Sequence, residues 1–144
     1  MKILLVLLLS CAPSLARVGE TYAELIKHYG KPTKSNPKES RHYFSHQDYE
    51  IGTLIRDGVC VMELYSVPDR ALSASEVARL MGDNGNGLNW DHYPANEKSS
   101  EQWVRKDKAL IALHSLHGGA FMIWSYKEAK LHGNADVSKA EFVD

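Results

Sequence analysis

Histidine is the most conspicuous chemically capable residue type in this chain, with seven copies. Two pairs have ligand-like spacing, His42-x3-His46 and His114-x2-His117. On a helix, a spacing of four would put both imidazoles of the first pair on one face. In a strand the same spacing separates them by roughly 13 Å, at about 3.3 Å per residue, too far for the ~2.0–2.1 Å bonds of one zinc ion. His114 and His117 point to opposite faces of a strand. These four residues support a metal-binding or His-dependent hydrolase reading only as an alternative. Cys60 could serve as a nucleophile beside a histidine, but its place in an apolar strand reads as a buried small hydrophobe. The run Asp83-Asn84-Gly85-Asn86-Gly87 has calcium-loop flavour, yet the later ligand positions hold Gly85, Gly87 and Pro94, so it reads as a turn. No H-E-x-x-H, G-x-S-x-G, G-x-G-x-x-G or Walker pattern occurs, and no cofactor is expected. What remains is aromatic: Trp90 and Tyr93, in an irregular stretch, are candidate interface residues, since such side chains bury much area for little entropy.

The elements that must position these residues can be read from capping and periodicity. Thr21-Tyr22-Ala23-Glu24 is a capping box, followed by an apolar stripe at Tyr22, Leu25, Ile26 and Tyr29 and a stop at Gly30-Lys31-Pro32. Residues 31–40 read as a surface connection. Strands are expected over Arg41–His46, Tyr49–Arg56 and Val59–Ser66, the last two joined by Asp57-Gly58. A plain two-residue turn places Ile51, Thr53, Ile55, Cys60, Met62 and Leu64 on one face, with Glu63 on the other. A second capping box, Ser73-Ala74-Ser75-Glu76, opens a helix with Val77, Leu80 and Met81 inward and Gly82 as its stop. Residues 90–100 admit one short strand. Glu101–Arg105, Ala109–His117 and Ala120–Tyr126 read as strands with Trp103, Ile111, Leu113, Met122, Trp124 and Tyr126 on one face. Periodicity is lost from about Lys127, and 135–144 read as a tail. The expected fold is therefore α+β: two helices packed on one face of an antiparallel sheet, in the order α-β-β-β-α-β-β-β. The two halves suggest a degenerate structural repeat of about sixty residues.

Length and composition set the outer bounds. The 144 residues carry 17 Lys+Arg against 18 Asp+Glu, with 44% hydrophobic and 24% charged residues. This is ordinary globular composition, and the balanced charge argues against nucleic-acid binding. Lys2, the apolar run Ile3–Leu9 and Ser14-Leu15-Ala16 read as a signal peptide over residues 1–16. The run is far shorter than the ~20 residues that span a bilayer, so no transmembrane helix is expected. Residues 17–134 would then form one domain, secreted or periplasmic, with Cys60 the single remaining cysteine. Leu8-Leu9-Ser10-Cys11 offers an alternative, lipidation at Cys11 and anchoring to the envelope.

Glu24-Leu25-Ile26, Gly30-Lys31-Pro32 and the Asp57-Gly58 hairpin, within residues 21–66, carry a resemblance. This helix followed by antiparallel strands resembles the BamE/SmpA outer-membrane assembly lipoproteins and the β-lactamase inhibitory proteins, and the tandem order is similar to the two-module inhibitors. The resemblance implies a non-catalytic binding or assembly role at the cell envelope. The expected function is thus an exported protein-interaction module whose partner is a protein of the envelope or the extracellular space.

Overall fold

A computed structural model describes residues 17–94 and 100–131. Both capping boxes form. The Thr21 hydroxyl accepts from the Glu24 amide while the Glu24 carboxylate accepts from the Thr21 amide, opening α1 (Tyr22–Tyr29). Gly30, at φ 87°, closes it by donating to the Ile26 carbonyl. Ser73 and Glu76 repeat the exchange at α2 (Ala74–Gly85), and Leu72 and Val77 beside it are both buried in one cluster. Between the helices lie β1 (Lys34–Asn36), a 3-10 turn (Pro37–Glu39), β2 (Arg41–His46), β3 (Tyr49–Arg56) and β4 (Val59–Ser66). After α2 come β5 (Trp90–Pro94), β6 (Ser100–Arg105), β7 (Leu110–Ser115), β8 (Phe121–Ser125) and α3 (Tyr126–Leu131).

The molecule is α+β, and among the described residues all eight strands lie in one antiparallel sheet ordered β1-β2-β3-β4-β8-β7-β6-β5. The two halves, one β1–β4 and the other β5–β8, join through their last strands. The expected element order is corrected in three places. Lys34–Asn36 pairs with β2 inside the stretch read as a connection, Trp90–Pro94 adds an edge strand, and α3 forms where periodicity was lost. The Gly/Asn run is corrected too: α2 continues past Gly82 to Gly85, with Asn86 as its left-handed cap. Distant donors hold that extra turn, since the Trp90 indole bonds the Met81 carbonyl at 3.0 Å and Arg105 bonds the Asn84 carbonyl at 2.9 Å.

Two register expectations also change. At the β3–β4 hairpin Asp57 and Gly58 both have positive φ, as a type I′ turn requires. Arg56 faces Val59 and Ile55 faces Cys60, but Leu54 then faces Met62. Val61 is the extra residue of a bulge, and every residue beyond it changes face. The cause lies outside the hairpin. Gly19 donates to the Cys60 carbonyl and Cys60 donates to the Glu20 carbonyl, each at 2.7 Å, so the segment ahead of α1 claims Cys60's backbone groups. Glu63 and Tyr65 therefore turn inward with Cys60, and Met62 and Leu64 turn to the other side. In the β6–β7 hairpin Trp103 faces Ala112 and Val104 faces Ile111, so Trp103 lies on the side opposite Ile111, Leu113, Met122 and Trp124. Lys108 at φ 58° sets the four-residue turn responsible.

Following register partners across the sheet gives continuous rows. One runs His42–Thr53–Glu63–Ile123–Ala112–Trp103. Beside it on the same side lies Phe44–Ile51–Tyr65–Phe121–His114. Most apolar members of these two rows share one core cluster with Leu25 and Tyr29 of α1 and Val77 and Leu80 of α2. On the other side, Met62, Trp124, Ile111 and Val104 form a second cluster with Ala129 and Tyr126 of α3. Among the described residues no helix is long and apolar enough to cross a membrane.

Candidate functional site

Two regions stand out: a closed polar cluster inside the first half, and a half-exposed stripe on the α3 side of the sheet. The closed cluster centres on Glu63, which is 0% exposed. Tyr29 from α1 donates to one carboxylate oxygen at 3.0 Å, Tyr65 from β4 donates to the other at 2.6 Å, and the two hydroxyls lie 3.3 Å apart. Burial pushes the Glu63 carboxyl up to about 7, against the opposing pull of both tyrosine hydrogen bonds and the Arg17 charge. Burial likewise raises both phenols, which stay protonated as donors. Arg17 is only 4% exposed. Its guanidinium sits 5.8 Å from the Tyr29 ring centroid and bonds Glu20 at 2.9 Å. Cys60 is buried beside this cluster, donating to the Met62 carbonyl at 3.2 Å. Desolvation, aided by Glu63, pushes its thiol well above the usual range, so it lacks the thiolate a nucleophile needs. A carboxyl closed to solvent meets no substrate in this conformation; its chemistry is to hold or lose one proton inside the core.

The stripe is a third row, Lys34–Tyr43–Gly52–Leu64–Met122–Leu113–Gln102–Tyr93, with one residue from each strand. It crosses both halves, roughly 34 Å at ~4.8 Å per strand. Tyr43 is exposed, and Leu64, Met122, Leu113 and Tyr93 are half-buried. Gly52 keeps the floor low: a Cβ there would meet the Tyr43 ring at 3.4 Å. Tyr43, Gly52, Leu64 and Ser66 line a shallow hollow of about 490 Å³ together with Thr33 and Lys34. The neighbouring row, Leu54–Met62–Trp124–Ile111–Val104, is mostly buried, and Arg56 pins α3 near it through Glu128 at 3.3 Å.

The residues singled out from sequence are dispersed. Trp90 lies against the α1/α2 core with its N–H on Met81, whereas Tyr93 joins the α3-side cluster. They occupy opposite faces of β5 and do not make one patch. His42 stacks on Tyr22, with ring centroids 4.2 Å apart, and bonds Ser35 at 3.0 Å; burial lowers its pKa. His46 lies 5.4 Å from the Tyr29 ring. His114 is buried against Phe121 with Glu101 at 3.8 Å, while His117 is exposed. Among the described residues no three His, Cys, Asp or Glu side chains converge on a metal position. Asp83, Asn84 and Gly85 are helical. Cys11 and the 135–144 stretch lie outside the described residues. Sequence reading missed Glu63, Tyr65 and Arg17 as a group, because the hairpin pattern alone turns Glu63 outward. A charged residue flanked by apolar ones in β4 was the one available signal.

No family model and no curated protein matches this chain. Among solved structures, a cysteine-rich secretory protein from Staphylococcus aureus subsp. aureus Mu50 is similar at 10% identity and a TM-score of 0.44, over 78% of this chain. The chain spans 44% of that protein's length.

Proposed function

We propose that this chain is an exported, non-catalytic protein-binding module that takes a protein partner of the cell envelope or extracellular space on the α3 side of its sheet. One observation carries the reading: the row Tyr43–Gly52–Leu64–Met122–Leu113 crosses the seam between the halves, with Tyr43 exposed, Gly52 buried beside its ring, and Leu64, Met122 and Leu113 half-buried. A contiguous apolar surface of this kind is what a partner presenting apolar side chains would cover. In this reading α1 and α2 cover the opposite face, and α3 packs beside the row, in the cluster that Met122, Leu113 and Tyr93 adjoin. The tandem helix-on-sheet plan is the one that the resemblance to the two-module inhibitors implies for a binder. Tyr93 extends the surface at its β5 end, and Trp90 serves the core. Export follows from residues 1–16 read as a signal peptide, with anchoring through Cys11 as the alternative.

Photo-cross-linking in intact cells tests this. A photoreactive residue at Tyr43 or at Met122 should capture the same protein, while one at the exposed Lys27 of α1 should not. No adduct at either row position, or equal capture from Lys27, would overturn the proposal. Mass spectrometry of the mature N-terminus distinguishes Arg17 from an acylated Cys11.

A further inference from the structure

We infer that Arg17 is the built-in counter-charge of Glu63, so that attachment of the segment ahead of α1 is coupled to the protonation of a carboxyl in the centre of the sheet. The geometry supports it from both ends. Arg17 reaches a closed site, 4% exposed, with its guanidinium over the Tyr29 ring, and Tyr29 in turn bonds Glu63. The backbone of the same segment is fastened to β4 at Cys60, three residues from Glu63. Burying a cation beside a carboxyl is costly unless each offsets the other's charge.

The surrounding groups define the field. Tyr29 comes from α1, and Tyr65 and Cys60 from β4. Arg17 and Glu20 come from the leading segment. Behind them His28 lies 3.6 Å from Glu20, His46 of β2 lies against Tyr29, and Asp83 of α2 feels the Arg17 charge. Thr53 and Ile123, opposite Glu63 on the flanking strands, bring no charge. The Arg17 charge draws Glu63 toward ionisation, and the charge of Glu20, which pairs with Arg17 at 2.9 Å, opposes it. Linkage fixes the sign: a charge that favours ionised Glu63 must itself be held more strongly by ionised than by protonated Glu63. The segment's arginine therefore contributes most above neutral pH.

The test compares wild type, Arg17→Met and Arg17→Lys by thermal unfolding at about pH 5 and about pH 9, on either side of the Glu63 transition. Arg17→Met should lower Tm more at the alkaline pH than at the acid one. Arg17→Lys, which keeps the charge, should restore most of the difference. In a Glu63→Gln background the alkaline excess should vanish. Independently, a carboxyl-carbon NMR titration should place the Glu63 midpoint higher in Arg17→Met than in wild type. An equal Tm loss at both pH values, or an unmoved Glu63 midpoint, would overturn the inference and leave Arg17 a packing residue.

Discussion

The two halves of the sheet are built alike and filled differently. Each begins with a segment hydrogen-bonded to its own last hairpin region, Gly19 and Glu20 to Cys60 in one, Leu72 to Gly119 in the other. Each then enters a helix through a capping box and ends in the strand that forms the seam. At that seam Glu63 faces Ile123 and Tyr65 faces Phe121. At the seam the first half thus closes over a carboxyl and two phenols, and the second over Ile123 and Phe121, with His114 buried beside Phe121 on the next strand. The same architecture tolerates both because position in the row fixes burial, while side-chain chemistry fixes only how that burial is satisfied. Ile123 and Phe121 carry no titratable group, whereas the buried Glu63 carboxyl makes its half responsive to pH.

Substitutions can break or sharpen this contrast. Phe121→Ala, at 0% exposure beside the buried His114 ring, should cost about 3–5 kcal/mol, measured by denaturant unfolding. For Glu63, the folded carboxyl sits at about 7 against the ordinary 4.5. Its contribution is fully present below the ordinary value and is lost as pH rises through the folded one. Wild-type stability should therefore fall by on the order of 3 kcal/mol across that window, and Glu63→Gln should flatten the profile. A wild-type profile already flat there would remove the distinction between halves. Ser73→Ala and Thr21→Ala each delete one cap and should cost about 1 kcal/mol apiece; near-equal losses would mean that the two helix entries are energetically equivalent. Tyr43→Ala, on the exposed stripe, should shift stability by no more than about 0.5 kcal/mol while abolishing cross-linking from Met122.

What the sequence made legible was local. Thr21–Glu24, Ser73–Glu76 and Asp57-Gly58 each specify their geometry within a few residues, and each forms as expected. The bulge at Val61 was hidden because its cause, Gly19 and Glu20 on Cys60, lies about forty residues away along the chain. The last turn of α2 was hidden for the same reason, since Trp90 and Arg105 reach it from β5 and β6. Glu63 is the sharpest case: one unpaired residue in β4 moves a charged side chain from solvent to the centre of the core.

The antiparallel β4–β8 contact has a consequence for symmetry. A unit of one helix and four strands, exposing its final strand, could complete this same sheet by meeting an identical copy across a two-fold axis. Two identical copies would have to bury the same group at equivalent positions, so an ionisable centre would arise twice over. Carrying both halves in one polypeptide lifts that constraint and lets an acid on one side meet oil on the other.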